Sequence, residues 1–297
     1  MAKPRTTTAL LADRITDLVL RGLIRLALLL PYVWRVRLMG WLMARVIGPL
    51  AGYRRKALAN LTYIYPNMGA TARRCLADGV LNNAGRTIIE NYSGSDFSRQ
   101  LAHAPVTGAG LAAVAEARAT GRPVLFVTAH FGNYEAPRHV LLAQGYSIGG
   151  LYRPMSNPYF NSHYVRTMQR VAGPIFDKGP RGTMGFARFL KGGGMGTILF
   201  DIYYQAGPAL PFLGQPAPTA TSAAEFALRF NALLIPYFGI RAADGLNFQI
   251  ELEAPIAHSE PIQMTQEITA RLEDQIAAHP AQWFWVHNRW KPERNAV

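Results

Sequence analysis

Four consecutive large apolar residues, Val124, Leu125, Phe126 and Val127, follow the turn signal Gly121-Arg122-Pro123 and run directly into Thr128-Ala129-His130-Phe131-Gly132-Asn133-Tyr134-Glu135. A run with no polar member reads as a strand covered on both faces, and sheets covered on both faces are predominantly parallel ones with helical crossovers. Comparable runs lie near residues 147–152, 197–201, 233–240 and 247–253. The last pair brackets Ala242-Ala243-Asp244-Gly245, which reads as a hairpin. Between the runs lie helical stretches, among them residues 71–91, 111–119, 222–230 and 265–279. The expected fold is α/β, with a mostly parallel central sheet covered by helices, and 297 residues suit one large domain of this kind.

In open α/β sheets, ligands collect at the carboxyl ends of the strands. The run at 124–127 delivers His130 to that edge, and Asn133 is placed to cap a helix expected to start at Tyr134, with Glu135 in its first turn. A neutral imidazole can take a proton from a hydroxyl while a carboxylate holds its other ring nitrogen and stabilises the imidazolium. A positioned base of this kind is typically worth ~10²–10⁴ in rate. His130 is therefore the candidate base and Glu135 the candidate orienting acid, against the plainer reading of a strand-end histidine and an acid favoured by the helix dipole.

The segment His130-Phe131-Gly132-Asn133-Tyr134-Glu135 resembles the His-x4-Glu/Asp box of the lipid A biosynthesis late acyltransferases, with Tyr134 where that family often has Trp. Four further blocks match in the same order. They are Tyr152-Arg153-Pro154 with Asn157-Pro158; Leu210-Pro211-Phe212-Leu213-Gly214 with Ala217 and Thr219; Leu233-Leu234-Ile235-Pro236; and His279-Pro280-Ala281-Gln282-Trp283 through His287-Asn288-Arg289-Trp290-Lys291. The resemblance implies a glycerolipid-acyltransferase-like fold and transfer of a fatty acyl group from acyl carrier protein to a hydroxyl of a lipid A precursor, in lipopolysaccharide synthesis. It implies a place on the cytoplasmic face of the inner membrane, and no cofactor beyond the thioester co-substrate. It also draws attention to Arg166 and Arg170, after Asn157-Pro158, as substrate-binding residues. Oxyanion donors are expected from the backbone around Gly132 and Asn133 and from Arg153. Asp201, ending the run at 197–200, is a candidate for positioning Arg153 or the acceptor. The sequence departs from the family at Asp201-Ile202-Tyr203 and at Asn288, which leaves another glycolipid or a lysolipid open as acceptor. A non-enzymatic basic lipid-binding protein is the remaining alternative.

Charge is concentrated at one end. The net charge is +13, yet mean hydropathy is +0.03. Residues 1–60 hold eleven Lys and Arg against Asp13 and Asp17. At 100° per residue, Arg14, Asp17, Arg21 and Arg25 form one narrow stripe of a helix over residues 14–30, and leucines and valines cover the rest. Pro31 ends that helix, and a second apolar and basic stretch, 33–47, carries Trp34 and Trp41. Neither stretch offers the ~18 uncharged residues of a clean span. Residues 1–50 are thus expected to be interfacial helices on an anionic membrane, with arginines reaching the headgroups, the alternatives being a single tilted span with snorkelling arginines or faces packed on the protein's own core, and residues 51–297 the catalytic domain.

Other function classes lack their residues. Cys75 is the only cysteine, which excludes an internal disulfide or a cysteine-based zinc site, and no metal is expected at His130. There is no Gly-x-Ser-x-Gly elbow and no Walker loop. Gly108-Ala109-Gly110-Leu111-Ala112-Ala113 fits a loose dinucleotide pattern but has no long strand before it and no acid about twenty residues on. Nucleic acid is not an expected partner, because leucine rather than base-stacking aromatics interleaves the basic run. His287, amid Trp283, Trp285 and Trp290, is expected to be a packing residue.

Overall fold

All five residues of the strand Val124–Thr128 are buried, as its unbroken apolar run predicts. A computed structural model describes residues 6–171 and 173–291, without the side chains of residues 170 and 171. Its helices are α1 (Thr7–Leu28), α2 (Tyr32–Leu42), α3 (Gly48–Leu50), α4 (Tyr53–Ile64), α5 (Ala70–Tyr92) and α6 (Ser95–Leu101). They continue as α7 (Leu111–Thr120), α8 (Ala136–Ala143), α9 (Pro158–Val171), α10 (Pro180–Lys191), α11 (Ser222–Phe230) and α12 (Pro261–Ala278). The strands are β1 (Val106–Thr107), β2 (Val124–Thr128), β3 (Ile148–Tyr152), β4 (Ile175–Asp177) and β5 (Met195–Leu199). After them come β6 (Ala209–Phe212), β7 (Gln215–Pro218), β8 (Leu233–Arg241) and β9 (Phe248–Leu252).

Seven strands form one sheet in the order β1-β9-β8-β2-β5-β3-β4, and β6 and β7 form a separate two-stranded ribbon. Within the large sheet β8, β2, β5, β3 and β4 run parallel. β9 returns antiparallel to β8 through the expected hairpin, and β1 lies parallel to β9. The fold is thus mixed α/β with a mostly parallel sheet covered by helices. One core cluster joins Leu125, Val127 and Phe131 to α12 residues and to Trp283, Trp285 and Trp290; a second joins Phe126 and Ile235 to α6, α7 and α8.

The glycine-rich segment before α7 has a packing reason. A Cβ on Gly108 would sit 2.0 Å from the Leu252 carbonyl oxygen, and one on Gly110 would sit 2.3 Å from that of Glu253. These glycines let the start of α7 lie against the end of β9.

The N-terminal helices differ from the expectation in where their polar groups point. Asp17 is buried, and Arg21 pairs with it at 3.3 Å on the side of α1 turned toward α9. The outward face of α1 is largely apolar, with Leu11, Ile15, Leu18, Leu23 and Leu26 all exposed, and Arg14 and Arg25 exposed at its margin. Arg35 does not reach outward either. It is buried, donates to Ser93 Oγ at 3.1 Å and pairs with Asp96. A π-helical turn over Met43–Ile47 leads α2 into α3. Among the described residues no helix is long and apolar enough to cross a membrane.

Candidate active site

β2 and β5 are neighbours with Val124 opposite Met195 and Thr128 opposite Leu199. The same offset carried two residues past the strand ends brings His130 opposite Asp201. Both oxygens of Asp201 are engaged there. Oδ1 lies 2.9 Å from His130 Nδ1, and Oδ2 accepts from the His130 backbone N–H at 3.0 Å and from Trp283 Nε1 at 2.9 Å. The Asp201 side chain is fully buried, whereas that of His130 is 28% exposed. Burial would raise the Asp201 pKa, but the His130 ring, His287 and the Trp283 N–H outweigh it and hold the carboxyl well below the usual range. An ionised Asp201 fixes the proton of His130 on Nδ1, which leaves Nε2 to accept a proton from substrate.

This arrangement corrects the expected pairing of His130 with Glu135. Helix α8 starts two residues later than anticipated, with Glu135 as its N-cap. Asn133 does not cap the helix with its side chain; its Oδ1 accepts from the Glu135 N–H at 3.0 Å and its Nδ2 donates to Glu90 at 2.9 Å. Glu135 is turned along α8, where Oε2 accepts from Arg138 at 3.2 Å. Arg138 is nearly fully buried and also donates to the Ile148 carbonyl at the foot of β3.

The backbone around Gly132 is likewise committed. The Phe131, Gly132 and Asn133 N–H groups donate to Ala129 O, Gln282 O and Gly239 O at 2.7, 3.0 and 3.0 Å. They are therefore not free as oxyanion donors, contrary to the expectation for Gly132 and Asn133. Gly132 is required for a different reason. Its φ is +52°, and a Cβ there would stand 1.9 Å from Gly239 O. The loop is clamped from below by α5, since Thr87 Oγ1 and Asn83 Nδ2 donate to Gly132 O at 2.7 and 3.1 Å. Glu90 ties that clamp to Arg241 of β8 in a buried ion pair.

Arg153 follows the end of β3 at the same sheet edge and is exposed, as is Arg166 on α9. The side chain of Arg170 lies outside the described residues.

The site also contains residues that sequence reasoning placed elsewhere. Phe284 N–H donates to His130 O at 2.9 Å, which draws the segment after α12 against the His130 loop. His287 is not mere packing, because its ring centroid stands 4.4 Å from that of His130. Burial first, then the nearby His130 charge, pushes the His287 pKa down to about 4, so it is neutral near pH 7. The grouping of Trp283 and His287 in one short block with His279 and Gln282 was the available signal.

His130, Asp201 and His287 offer ligand atoms within 4.8 Å of one another. Asp201 already accepts three N–H bonds, and His130 Nδ1 faces that carboxylate. Only the Nε2 atoms of the two histidines remain, fewer than the three or four protein ligands zinc takes. The set fits an imidazole–carboxylate dyad with a second neutral imidazole beside it. Such a dyad removes a proton from a hydroxyl as that hydroxyl attacks an electrophile.

The profile of the bacterial lipid A biosynthesis acyltransferases matches residues 3–292. The chain belongs to that family. The Escherichia coli (strain K12) lipid A biosynthesis lauroyltransferase is 25% identical, with 99% of this chain and 97% of that protein covered. A lipid A biosynthesis acyltransferase of Haemophilus influenzae is 23% identical over 78% of this chain and 74% of its own length. The E. coli lipid A biosynthesis myristoyltransferase is 19% identical, with 78% and 73% covered. Membership makes this acyltransferase an enzyme of lipid A biosynthesis and implies a lipid A precursor as acceptor.

Proposed function

We propose that this acyltransferase moves a fatty acyl group from acyl carrier protein to a hydroxyl of a lipid A precursor, with His130 as general base and Asp201 as its orienting carboxylate. The observation that carries the reading is Asp201 on His130 Nδ1, at a strand-end edge shared with Arg153. His130 Nε2 takes the proton of the acceptor hydroxyl as its oxygen attacks the thioester carbonyl. The tetrahedral oxyanion then collapses, and the carrier thiolate leaves and takes a proton from the imidazolium. Arg153 is the proposed oxyanion or thioester-binding group, since the loop amides are occupied. Glu135, with Arg138, holds the base of β3 against α8 and so acts on the site through position.

The same proposal puts residues 1–50 on the cytoplasmic face of the inner membrane. A helix in water turns its polar stripe outward, but α1 turns Asp17 and Arg21 inward and leaves Leu18 61% and Leu26 64% exposed. Trp34 and Trp41 are 67% and 54% exposed on α2. Each such side chain contributes ~1.5–3 kcal/mol on leaving water, against about 1 kcal/mol per basic residue near an anionic leaflet. Apolar burial therefore dominates, and charge selects the leaflet.

Acceptor choice is tested by offering one labelled acyl carrier protein thioester to three acceptors in parallel: a tetra-acylated, Kdo-bearing lipid A precursor, another glycolipid and a lysophospholipid. Preferred acylation of the first supports the reading. Transfer only to the lysolipid or the other glycolipid would keep the chemistry and reject the acceptor.

A further inference from the structure

A second cleft lies between α1, the end of α5 and α9, with a volume of about 420 Å³. Its polar lining is Arg21 and Arg25, one turn apart on α1, with His163, Arg166 and Thr167 on α9 and Tyr92 at the end of α5. Three buried polar atoms there, Arg21 Nε, Tyr92 Oη and His163 Nε2, have no hydrogen-bond partner among the described residues. An unpaired buried donor costs roughly 1–3 kcal/mol, so three in one cleft mark a place shaped for an acceptor. The His163 ring stacks on Tyr92 with centroids 5.4 Å apart. Burial and the facing arginines also lower its pKa, which keeps it neutral and able to donate one N–H.

Charge narrows the class of ligand. The three guanidinium groups face one buried carboxylate, Asp17, which pairs with Arg21 and leaves an excess of two positive charges. A phosphate monoester carries about −1.5 to −2 and has three terminal oxygens, enough for several guanidinium N–H groups together with the His163 and Tyr92 donors. A carboxylate has half that charge and only two oxygens. The remaining lining, Ile24 and Leu28, is apolar and belongs to the core cluster of Ala27, Val36 and Ile89; that the ligand's other end is lipid follows from the acyltransferase reading above.

The cleft is also one side-chain layer from His130. Tyr134, whose ring lies 5.5 Å from that of His130, is in the electrostatic neighbourhood of Tyr164 and Asn91, the sequence neighbours of His163 and Tyr92. Helix α5, whose end lines the cleft, also clamps the active-site loop through Thr87 and Asn83.

We infer that Arg21, Arg25, His163, Arg166 and Tyr92 form a subsite for a phosphate monoester on a lipid headgroup, which anchors the acceptor while its hydroxyl is presented to His130. That the phosphate is the acceptor's rests on the acyltransferase reading above. The test is a binding measurement that needs no turnover. The full-length protein in detergent is titrated with a phosphorylated lipid A precursor and with the same lipid after phosphatase treatment. The variants are Arg25→Gln/Arg166→Gln, both exposed positions, and separately His163→Gln. The expected result is at least tenfold tighter binding of the phosphorylated lipid by wild type and loss of most of that preference in the double variant. Binding of the dephosphorylated lipid should be equal in both, which also shows that the variant is folded. Equal wild-type affinity for the two lipids, or a preference intact in the double variant, would overturn the subsite. A parallel arm measures flotation with phosphatidylglycerol vesicles. If the double variant loses only vesicle binding, the cleft serves a bilayer phosphodiester and the acceptor assignment fails. A wild type that discriminates the lipids but transfers no acyl group would sink the proposed function and leave this subsite standing.

Discussion

Replacing Asp201 by Asn changes one heavy atom and tests the dyad at its hinge. In the native site one oxygen accepts from the His130 and Trp283 N–H groups, and the other accepts from His130 Nδ1. Asparagine has one acceptor oxygen and one NH₂. Its oxygen is held where two N–H groups converge, so its NH₂ must face His130 Nδ1. That nitrogen then has to accept, and the ring proton moves to Nε2, the nitrogen that should receive the substrate's proton. An analogous change in a serine protease triad lowers kcat by ~10⁴ through this tautomer switch. We expect a loss of ~10³–10⁴ here, about 4–5 kcal/mol of barrier at 1.36 kcal/mol per decade. Single-turnover transfer from a labelled thioester gives the rate, and imidazole nitrogen NMR gives the tautomer. Glu135→Gln, assayed beside it, should lose no more than about a hundredfold, the order-of-magnitude cost of misplacement alone. If Asp201→Asn stays within tenfold of wild type while Glu135→Gln abolishes transfer, the assignment of the two carboxylates is reversed.

Three further outcomes follow from the same geometry. Glu90→Gln strips the counter-charge from buried Arg241 and should cost ~3–5 kcal/mol of stability, read as a lowered urea midpoint; an unchanged midpoint would mean that the pair contributes nothing. His139 and His287 are both pushed from 6.5 down to about 4, first by burial, so between those pH values the unfolded chain binds protons that the folded chain refuses. Stability should fall as pH drops from about 6.5 toward 4, by up to ~3 kcal/mol per histidine, and a flat melting temperature over that window would contradict it. Asp201, with its lowered pKa, adds a loss only below the ordinary carboxylate range. Leu18→Ser/Leu26→Ser should weaken vesicle binding at least tenfold at high salt, given ~1.5–3 kcal/mol per leucine; release of wild type by moderate salt alone would refute apolar anchoring.

What could be read from the residues was largely what is local. The apolar runs marked β2, β3, β5, β8 and β9 within two residues, and α11 matched at both ends. His130 was legible because it follows the most apolar run. Its partner was not, for a topological reason. β5 inserts between β2 and β3, so the strand end beside His130 is the one carrying Asp201, and Arg153 lies one strand farther away. Nothing in the residue order fixes that insertion. Glu135, by contrast, was close in sequence but not in space, because the left-handed turn at Gly132 and the N-cap position aim it along α8. The ribbon β6–β7 was hidden by Pro211, Pro216 and Pro218, residues unusual in a central strand but admissible in an isolated pair; Leu213 and Gly214, both at positive φ, make its turn. That Asp17 turns inward while Arg14 and Arg25 of the same stripe stay exposed was unreadable because periodicity gives a helix two faces without saying which one meets protein.

The most direct measurement is the mass of the lipid product. Wild-type protein, acyl carrier protein thioester and lipid A precursor are incubated together, and the acceptor is weighed by mass spectrometry beside a His130→Ala reaction matched for melting temperature. We expect a product heavier by one ester-linked acyl group with wild type and a loss of orders of magnitude with His130→Ala. Product formed at an unchanged rate without the His130 imidazole would contradict that expectation.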